Sequence, residues 1–260
     1  MMKTVSRMAM ASLAVLALAA CQPPAEETEA GKTAAAPAPA AAPALPAIDL
    51  NDPQQITSAF RAAWDRAAPA KAPAPEQSGG GDFTFTTGKL VPLTGERYAF
   101  VSDGQGGDGH VSPGAVAIHY LERTPDGFRR IDAAPLIVDG GTFGNPPEWT
   151  IQQGLLTAPA LIATSGGVWQ GYACSGASVV ELTPERPVLR ADYVRLNYSN
   201  GGAVMEGRNA EEMEGRLVPA TPGREFAVQY SGASTARVVW RLGADGTYKP
   251  TNEPRDLPWC

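Results

Sequence analysis

From Phe83 to the end of the chain, apolar and polar residues alternate with a period of two in short runs that Gly, Pro and Asp separate. β-branched and aromatic residues dominate these runs, as in half-buried β-strands. An antiparallel β-sandwich or a barrel-like sheet fits this pattern, and a propeller-like array is the alternative. We therefore expect a single mainly β domain over residues 83–260, with strands at Phe83–Thr87, Lys89–Leu93, Arg97–Ser102, Ala115–Arg123, Phe128–Ile137, Ala160–Thr164, Gly167–Ala173, Ser178–Leu182, Val188–Leu196, Glu225–Tyr230, Ala236–Leu242 and Thr247–Lys249.

Two Asp-Gly pairs, Asp126-Gly127 and Asp245-Gly246, lie between alternating runs. Both residues of such a pair tolerate the positive φ that a type I′ hairpin turn requires. The pairs therefore predict two hairpins with antiparallel strands.

One segment ahead of the β domain has a helical period instead, with Ile56, Phe60 and Trp64 recurring every four residues. Asp52 has the character of an N-cap, and Pro53 suits the first helical position. The pattern predicts an amphipathic helix from Pro53 to Ala67, within a segment 48–68. The helix packs on the β domain in the simplest interpretation, and lies on a membrane or a partner in the alternative.

The segments on either side of this helix lack an apolar face. Residues 21–47 consist almost wholly of Ala, Pro, Glu and Thr and include no aromatic residue. Such a composition buries too little apolar surface to offset the entropy of ordering, and it predicts a disordered tether. Residues 69–82, which contain three consecutive glycines, are expected to form a loose linker.

The N-terminus combines two positive charges, Lys3 and Arg7, with an apolar stretch over residues 8–20. This stretch is shorter than the roughly 20 residues that cross a bilayer as a helix. Charge and length together indicate a signal peptide rather than a membrane-spanning anchor.

The stretch ends in Leu18-Ala19-Ala20-Cys21, which resembles the lipobox of bacterial lipoproteins. The resemblance implies removal of the signal peptide 1–20 and attachment of lipid, such as palmitate, to Cys21. Gln22 stands where an aspartate would favour the inner membrane, so the resemblance implies an outer-membrane location facing the periplasm or the cell surface. It covers only about residues 1–22 and implies no activity.

The charge balance bears on possible partners. The full chain has a net charge of -6, and residues 1–20 contribute two of its 21 basic residues and no acidic one. The remainder therefore carries -8, without the clustered Lys and Arg that binding to phosphates requires. We expect no nucleic-acid partner.

The two other cysteines, Cys174 and Cys260, are expected to form a disulfide. An exported protein meets an oxidising compartment, where paired thiols persist as a bond. The alternatives are a buried thiol at Cys174 and a terminal free thiol at Cys260.

The most suggestive loop for a metal runs from Asp103 to His110 and is rich in glycine. Calcium prefers several oxygen ligands on a flexible backbone, so Asp103 and Asp108 are candidate ligands. The loop lacks the ligand spacing of an EF-hand, and a plain hairpin loop is the alternative. His110 and His119 are the two histidines, and a zinc site needs more ligands than they supply. We predict no cofactor, with calcium as the exception to test.

No catalytic motif is complete. The stretch Gly232-Ala-Ser234 lacks the second glycine of a hydrolase nucleophile elbow. A glycosidase needs two carboxyls facing one another across a cleft. Four glutamates close together in a polar stretch predict a solvated loop or short helix instead: Glu206, Glu211, Glu212 and Glu214.

Aromatic residues on loops stiffened by Gly and Pro are the remaining candidates, namely Phe143, Trp149, Trp169 and Tyr172. Rings held on such loops can bind sugar or protein at low entropic cost. They can equally cover the ends of a β core. The sequence leaves both interpretations open.

These features favour a non-enzymatic binding or structural module of the cell envelope, attached to a membrane through lipid on Cys21. Its partner would be an envelope protein or a cell-wall component. A hydrolase with a dispersed active site and a calcium-dependent adhesion-type module are the two alternatives.

Lipid attachment is directly testable. Cells that express the wild-type chain and are fed a labelled fatty acid should incorporate label into it, because the Cys21 thiol is the acceptor. The Cys21→Ala variant should remain unlabelled when both are immunoprecipitated and compared. Equal labelling of the two chains would remove the lipoprotein interpretation.

Overall fold

A computed structural model describes residues 45–76 and 81–260 of the chain. Cys21, the predicted signal peptide and almost all of the predicted tether lie outside these residues. Within the described ranges, no helix has the length and apolarity needed to span a membrane.

The described residues form one helix and fifteen strands. The helix is α1, Pro53–Trp64. The strands are β1 (Ala70–Ala72), β2 (Phe83–Phe85), β3 (Lys89–Pro92), β4 (Arg97–Gln105), β5 (Gly114–Thr124), β6 (Gly127–Arg130), β7 (Leu136–Gly140), β8 (Glu148–Gln152), β9 (Ala160–Trp169), β10 (Tyr172–Leu182), β11 (Pro187–Ser199), β12 (Glu212–Thr221), β13 (Glu225–Gly232), β14 (Ala236–Leu242) and β15 (Tyr248–Pro250).

These strands form two antiparallel sheets. The N-terminal sheet has the order β1-β2-β4-β5-β6, with β3 also paired to β4 and β7 to β5. The C-terminal sheet contains β8 to β15 in sequence order, each strand paired with the next, and it curls like half a barrel. The predicted mainly β, antiparallel fold with one N-terminal helix is confirmed.

Three apolar clusters hold the layers together. The first lies between α1 and the N-terminal sheet and includes Phe60 and Phe100. The second joins the N-terminal sheet to the first strands of the C-terminal sheet, through residues such as Ile118 and Leu161. The third involves β9 to β15 of the curled sheet and includes Phe226. The described residues are therefore layered as helix, sheet and curled sheet.

Helix α1 begins as the sequence predicts. The Asp52 side chain accepts a hydrogen bond from the Gln54 amide at 2.9 Å, and Pro53 is the first helical residue. The helix ends at Trp64, three residues before the predicted end, because Asp65 adopts a left-handed conformation with φ of 52°. Its apolar side packs on the N-terminal sheet.

The segment predicted as a loose linker over residues 69–82 contains strand β1, which corrects that prediction in part. Lys71 pairs with Thr84 of β2, while Ala70 and Ala72 are buried in the cluster under α1. Ala and Lys both have low β propensity, so only the pairing with the neighbouring strand reveals Ala70-Lys71-Ala72 as a strand. Residues 45–260 accordingly form one compact unit.

Two predicted strands are wrong in their extent. The segment Phe128–Ile137 is divided into β6 and β7, because Asp132 between them accepts a hydrogen bond from the Tyr120 amide. The segment Gly167–Ala173 is divided by a turn at Gln170-Gly171, which separates β9 from β10.

Two strands of the C-terminal sheet were not predicted. Strand β8 lies in the segment around Trp149, and β12 includes two of the glutamates that were expected in a solvated loop or short helix. Both begin with alternating polar and apolar residues, Glu148-Trp-Thr-Ile-Gln152 and Glu212-Met-Glu214, but these runs lie in segments that the sequence pattern assigns to loops.

The Asp-Gly hairpins have the predicted antiparallel strands, but their turns differ from type I′. Pro125 and Asp126 occupy the centre of the first turn, and proline cannot take a positive φ. In the second, the Gly246 amide donates to the Gly243 carbonyl at 3.1 Å and closes the turn. Gly127 and Gly246 follow the turn centres with φ of 130° and 78°.

The packing of α1 gives a stability prediction. Replacing the buried Phe60 by Ala should lower the free energy of unfolding by about 3–5 kcal/mol, because the cluster loses a ring and keeps a cavity. The neighbouring exposed Arg61 provides the control, and Arg61→Ala should change it by about 0.5 kcal/mol or less. Urea unfolding followed by tryptophan fluorescence measures both. Equal effects would mean that α1 does not pack as described.

Candidate functional site

A groove of about 860 Å³ crosses one end of the curled C-terminal sheet. One residue from each of five adjacent strands, β9 to β13, forms a row across it, with each residue the direct Cα partner of the next. All five members of this row line the groove: Gly167, Cys174, Tyr198, Met213 and Gly232. We call it the floor row.

The shape of the floor follows from local features of these strands. Glycines at both ends of the row leave space where other residues would place side chains. Near its middle, Ser175 pairs with Asn197 while Gly176 pairs with Arg195, so Leu196 is an extra residue opposite β10. A bulge of this kind bends a strand and increases its twist.

Two loops that contact each other form one wall of the groove, over residues 106–113 and 141–147. Their backbones are joined by hydrogen bonds from the Gly106 amide to the Gly144 carbonyl at 2.9 Å and from the Gly144 amide to the Ser112 carbonyl at 2.8 Å. A Cβ at Gly144 would lie 2.2 Å from the Gly107 carbonyl oxygen. Gly144 thus permits close packing of its loop against the backbone of the candidate calcium loop.

This loop pair presents His110 and Phe143 to the groove. Their ring centroids are 4.6 Å apart in an edge-to-face arrangement. Phe143 has a φ of 54° and is 52% exposed. A positive φ is unusual for a bulky residue and occurs where the surrounding structure enforces it, often at functional sites.

The hairpin between β9 and β10 places two more aromatic residues at the rim. Gln170 and Gly171 have φ of 49° and 88°, as a two-residue type I′ turn requires. Trp169 and Tyr172 flank this turn and are 56% and 40% exposed. The Trp169 ring lies 5.8 Å from that of His110.

Three of the four predicted aromatic residues therefore gather around one groove. Phe143 lines it, and Trp169 and Tyr172 stand at its rim, with the Tyr172 ring 6.4 Å from Tyr198 of the floor row. The sequence marked them by their Gly- and Pro-rich surroundings and left open that they cover core ends.

Trp149 has a different environment and does not line the groove. It packs against the cluster between the two sheets, and its indole N–H donates to the Asp103 carboxylate at 2.9 Å. The Lys89 ammonium lies 5.3 Å from its ring centre. Trp149 thus fits the alternative of a core-covering residue.

The two candidate calcium ligands are on different elements. Asp103 lies in strand β4, paired with Val116, whereas Asp108 is exposed in the following loop. Across residues 45–76 and 81–260, no three His, Cys, Asp or Glu side chains are grouped so that they could hold a metal ion.

Two glutamates of β12, Glu212 and Glu214, are among the lining residues, on either side of the buried Met213 of the floor row. Because successive side chains of a strand point to opposite faces, their carboxylates leave the sheet on the face opposite to the Met213 side chain. Both are exposed, and neither forms a salt bridge within the described part of the chain. No Lys or Arg of the described residues lines the groove. The alternation of Glu212 and Glu214 with the buried Met213 is a strand signal that could have placed both residues in β12.

The disulfide between Cys174 and Cys260 ties the last residue to the floor row, and their Cα atoms lie 6.2 Å apart. The predicted cysteine pair is confirmed. Leu257 of the same C-terminal segment is buried in the cluster of the curled sheet. The C-terminal segment is thus packed against the curled sheet, beside the groove.

Arg195 of β11 connects this C-terminal segment to the sheet. Its guanidinium lies 5.3 Å from the Trp259 ring centre and 3.6 Å from the Glu253 carboxylate. Its backbone carbonyl accepts a hydrogen bond from the Tyr230 hydroxyl at 2.9 Å. Burial raises the pKa of Tyr230 to about 12, so this hydroxyl keeps its proton at neutral pH.

The two histidines occupy separate environments. His110 is exposed at the groove, whereas His119 is 1% exposed between α1 and the N-terminal sheet. Nδ1 of His119 lies 3.3 Å from the Asp132 carboxylate, and the Trp64 ring packs edge-on against the imidazole. Nε2 has no hydrogen-bond partner in the described ranges. Protein atoms enclose this pair, so a substrate cannot reach it in this conformation.

Asp132 belongs to a polar network that holds the end of α1. Arg130 lies 3.7 Å from the Asp132 carboxylate and 3.0 Å from that of Asp65, and it donates to the Ala63 carbonyl at 2.9 Å. The network satisfies a helix-terminal carbonyl. These contacts position a helix.

A comparison with protein-family models, curated proteins and solved structures finds no match to this chain. The geometry alone defines this site: an open groove across five strands, walled by a pair of loops and flanked by exposed aromatic rings.

The loop pair can be tested with two glycines of equal φ, 73°, at Gly144 and Gly154. Gly154→Ala should cost about 1–2 kcal/mol of stability, since a left-handed conformation disfavours a side chain and nothing lies within 4 Å of the added Cβ. Gly144→Ala should cost clearly more, because its Cβ meets the Gly107 carbonyl. Thermal unfolding compares them, and equal losses would contradict the described loop packing.

Proposed function

We propose that this chain is a lipid-anchored lipoprotein of the cell envelope, located in the outer membrane, whose curled sheet binds a ligand in the groove. The observation that carries this proposal is the set of three exposed aromatic residues, Phe143, Trp169 and Tyr172, around one groove. In this proposal the chain binds a ligand and catalyses no reaction.

The exposure of these rings supports a binding role. Scattered exposed apolar residues are ordinary, but apolar residues gathered in one place usually mark a binding surface. A ligand that covers the rings removes their apolar area from water and stacks on their faces. The hairpin turn and the loop pair fix the backbone that carries the rings. Less conformational entropy of the protein is therefore lost when a ligand binds.

The titratable groups also favour binding over catalysis. Glu212 and Glu214 lie two residues apart on one strand and not opposite one another across the groove, as a glycosidase pair would. His119 is enclosed beneath α1, and His110 stands beside aromatic rings. Histidine-dependent catalysis usually needs an acid that orients the base, and within the described residues no carboxylate forms a salt bridge with the His110 ring.

Lipid on Cys21 would complete this arrangement. Multiple acyl chains on one cysteine give stable attachment, whereas a single chain binds only marginally. The Ala- and Pro-rich composition of residues 21–47 suits an extended tether. The tether would then allow the groove to reach an envelope protein or a cell-wall component near the membrane.

Site-specific photo-crosslinking in cells tests the groove. A benzophenone amino acid in place of Trp169 should form a covalent adduct with the bound ligand, detected as a mass increase of the purified chain. The same amino acid in place of Arg66 is the control, because Arg66 is exposed just after α1, in the layer opposite the curled sheet. Adducts at neither position, or equally at both, would refute the groove as a binding site.

A further inference from the structure

We infer that the ligand of this groove is an uncharged sugar chain. This inference rests on the proposed binding function and deepens it, because it chooses a cell-wall glycan over an envelope protein as the partner. It follows from the direction and length of the groove, the exposed rings at its wall and rim, and the uncharged segments that carry these rings.

The direction of the groove argues against a peptide that binds as an added strand. Such a peptide lies alongside an edge strand and pairs with its free N–H and C=O groups. The groove instead crosses five strands, and the three middle residues of the floor row, Cys174, Tyr198 and Met213, have a paired residue on each side. A ligand that lies across these strands is therefore held mainly by side chains of the wall and the rim.

The length of the groove suits a chain of several sugar units. Neighbouring strands lie about 4.8 Å apart, so the five strands of the floor row span about 19 Å from first to last. This distance exceeds the width of a single sugar ring and matches a short oligosaccharide.

The exposed rings offer the surface that a sugar ring binds. One face of a pyranose ring presents C–H groups, which pack on an aromatic ring and meet the partial negative charge of its face. Phe143, Trp169 and Tyr172 are each at least 40% exposed, so a ligand can cover all three. An open groove also leaves the outer hydroxyl groups of the sugar in water. An acyl chain, in contrast, gains most where protein encloses its whole surface.

Polar side chains next to the rings suit the remaining hydroxyl groups of a sugar. Thr142 precedes Phe143 in the chain and lines the groove. Gln170 is exposed in the turn between Trp169 and Tyr172. A hydroxyl group and a side-chain amide both donate and accept hydrogen bonds, as sugar hydroxyl groups do.

The surroundings of the rings disfavour a charged ligand. Residues 141–147 and 166–175, which carry the three rings, include no Asp, Glu, Lys or Arg. A charged group that lost its water there would gain no salt bridge from these segments, and an unpaired charge is costly to bury. Glu212 and Glu214 belong to β12, two strands beyond β10. The net charge of -6 further opposes an acidic glycan.

Binding to immobilised sugars tests this inference. The full-length chain, with a biotin-acceptor peptide inserted after Ala40, is purified in a zwitterionic detergent that contains no sugar and is applied to an array of oligosaccharides. The array includes the neutral chitotetraose, cellotetraose and maltotetraose and the acidic tetragalacturonic acid. We expect binding to at least one neutral tetramer that changes little with salt concentration, since no ion pair contributes. Binding to none of them, or preferred binding to the acidic tetramer, would overturn the inference.

Two aromatic residues with the same backbone conformation locate the binding. Phe143 and Tyr193 have φ of 54° and 53° and are 52% and 51% exposed, and of the two Phe143 alone lines the groove. Phe143→Ala should weaken binding of the neutral tetramer about tenfold, because the sugar loses a stacking surface. Tyr193→Ala carries the same backbone strain and should bind as the wild type does. Equal loss in both variants, or in neither, would contradict sugar binding at the rings.

Tryptophan fluorescence supplies a second measurement that starts from the folded wild type. Trp169 is 56% exposed, so a sugar ring that stacks on it should change its emission. The Trp169→Phe chain keeps an aromatic ring and should bind the tetramer while most of this change disappears. An equal fluorescence change in both chains would place the sugar away from the rim and overturn the inference.

The two proposals can fail separately. Adducts at position 169 in cells whose partner is a protein, together with no binding to neutral sugars, would keep the groove as a binding site and overturn the sugar chain as its ligand. No specific adduct at position 169 and no sugar binding would remove both proposals.

Discussion

The burial of strand β5 on both of its faces is the constraint on which the rest of the structure depends. Alternate residues of this strand pack under α1 and against the curled sheet, so Ala117 and Leu121 belong to one cluster and Ile118 and Tyr120 to the other. A strand covered on both sides ties three layers into one unit. Its residues do not alternate between buried and exposed, as is usual for a strand without a face toward solvent.

The groove is a consequence of how the other end of the curled sheet is finished. Strands β9 to β11 extend beyond the residues that pack on the N-terminal sheet, and a bulge at Leu196 bends β11 beside β10. The Cys174–Cys260 disulfide holds the end of the chain there, and loops from the first half of the protein add Phe143 and His110. The groove thus combines residues that are distant in sequence, on backbone fixed by glycines such as Gly144.

Much of the fold could be predicted because its signals are local. The N-cap Asp52, the four-residue period through Trp64 and the two-residue period of most strands follow from side-chain direction over a few residues. The division of Phe128–Ile137 could not be predicted, since it depends on a hydrogen bond from the Tyr120 amide to Asp132. Likewise, Glu212 and Glu214 became groove residues only through the pairing of β12 with β11 and β13.

The sequence by itself determined that the described part is an antiparallel β fold with one capped helix, and its cysteine content identified the bonded pair. Only the tertiary structure decided which aromatic residues share a surface. It separated Trp149, which covers the core and bonds Asp103, from Phe143, Trp169 and Tyr172 around the groove. The reason is physical: periodicity records which face of an element is apolar, whereas a groove depends on contacts between elements far apart in the chain.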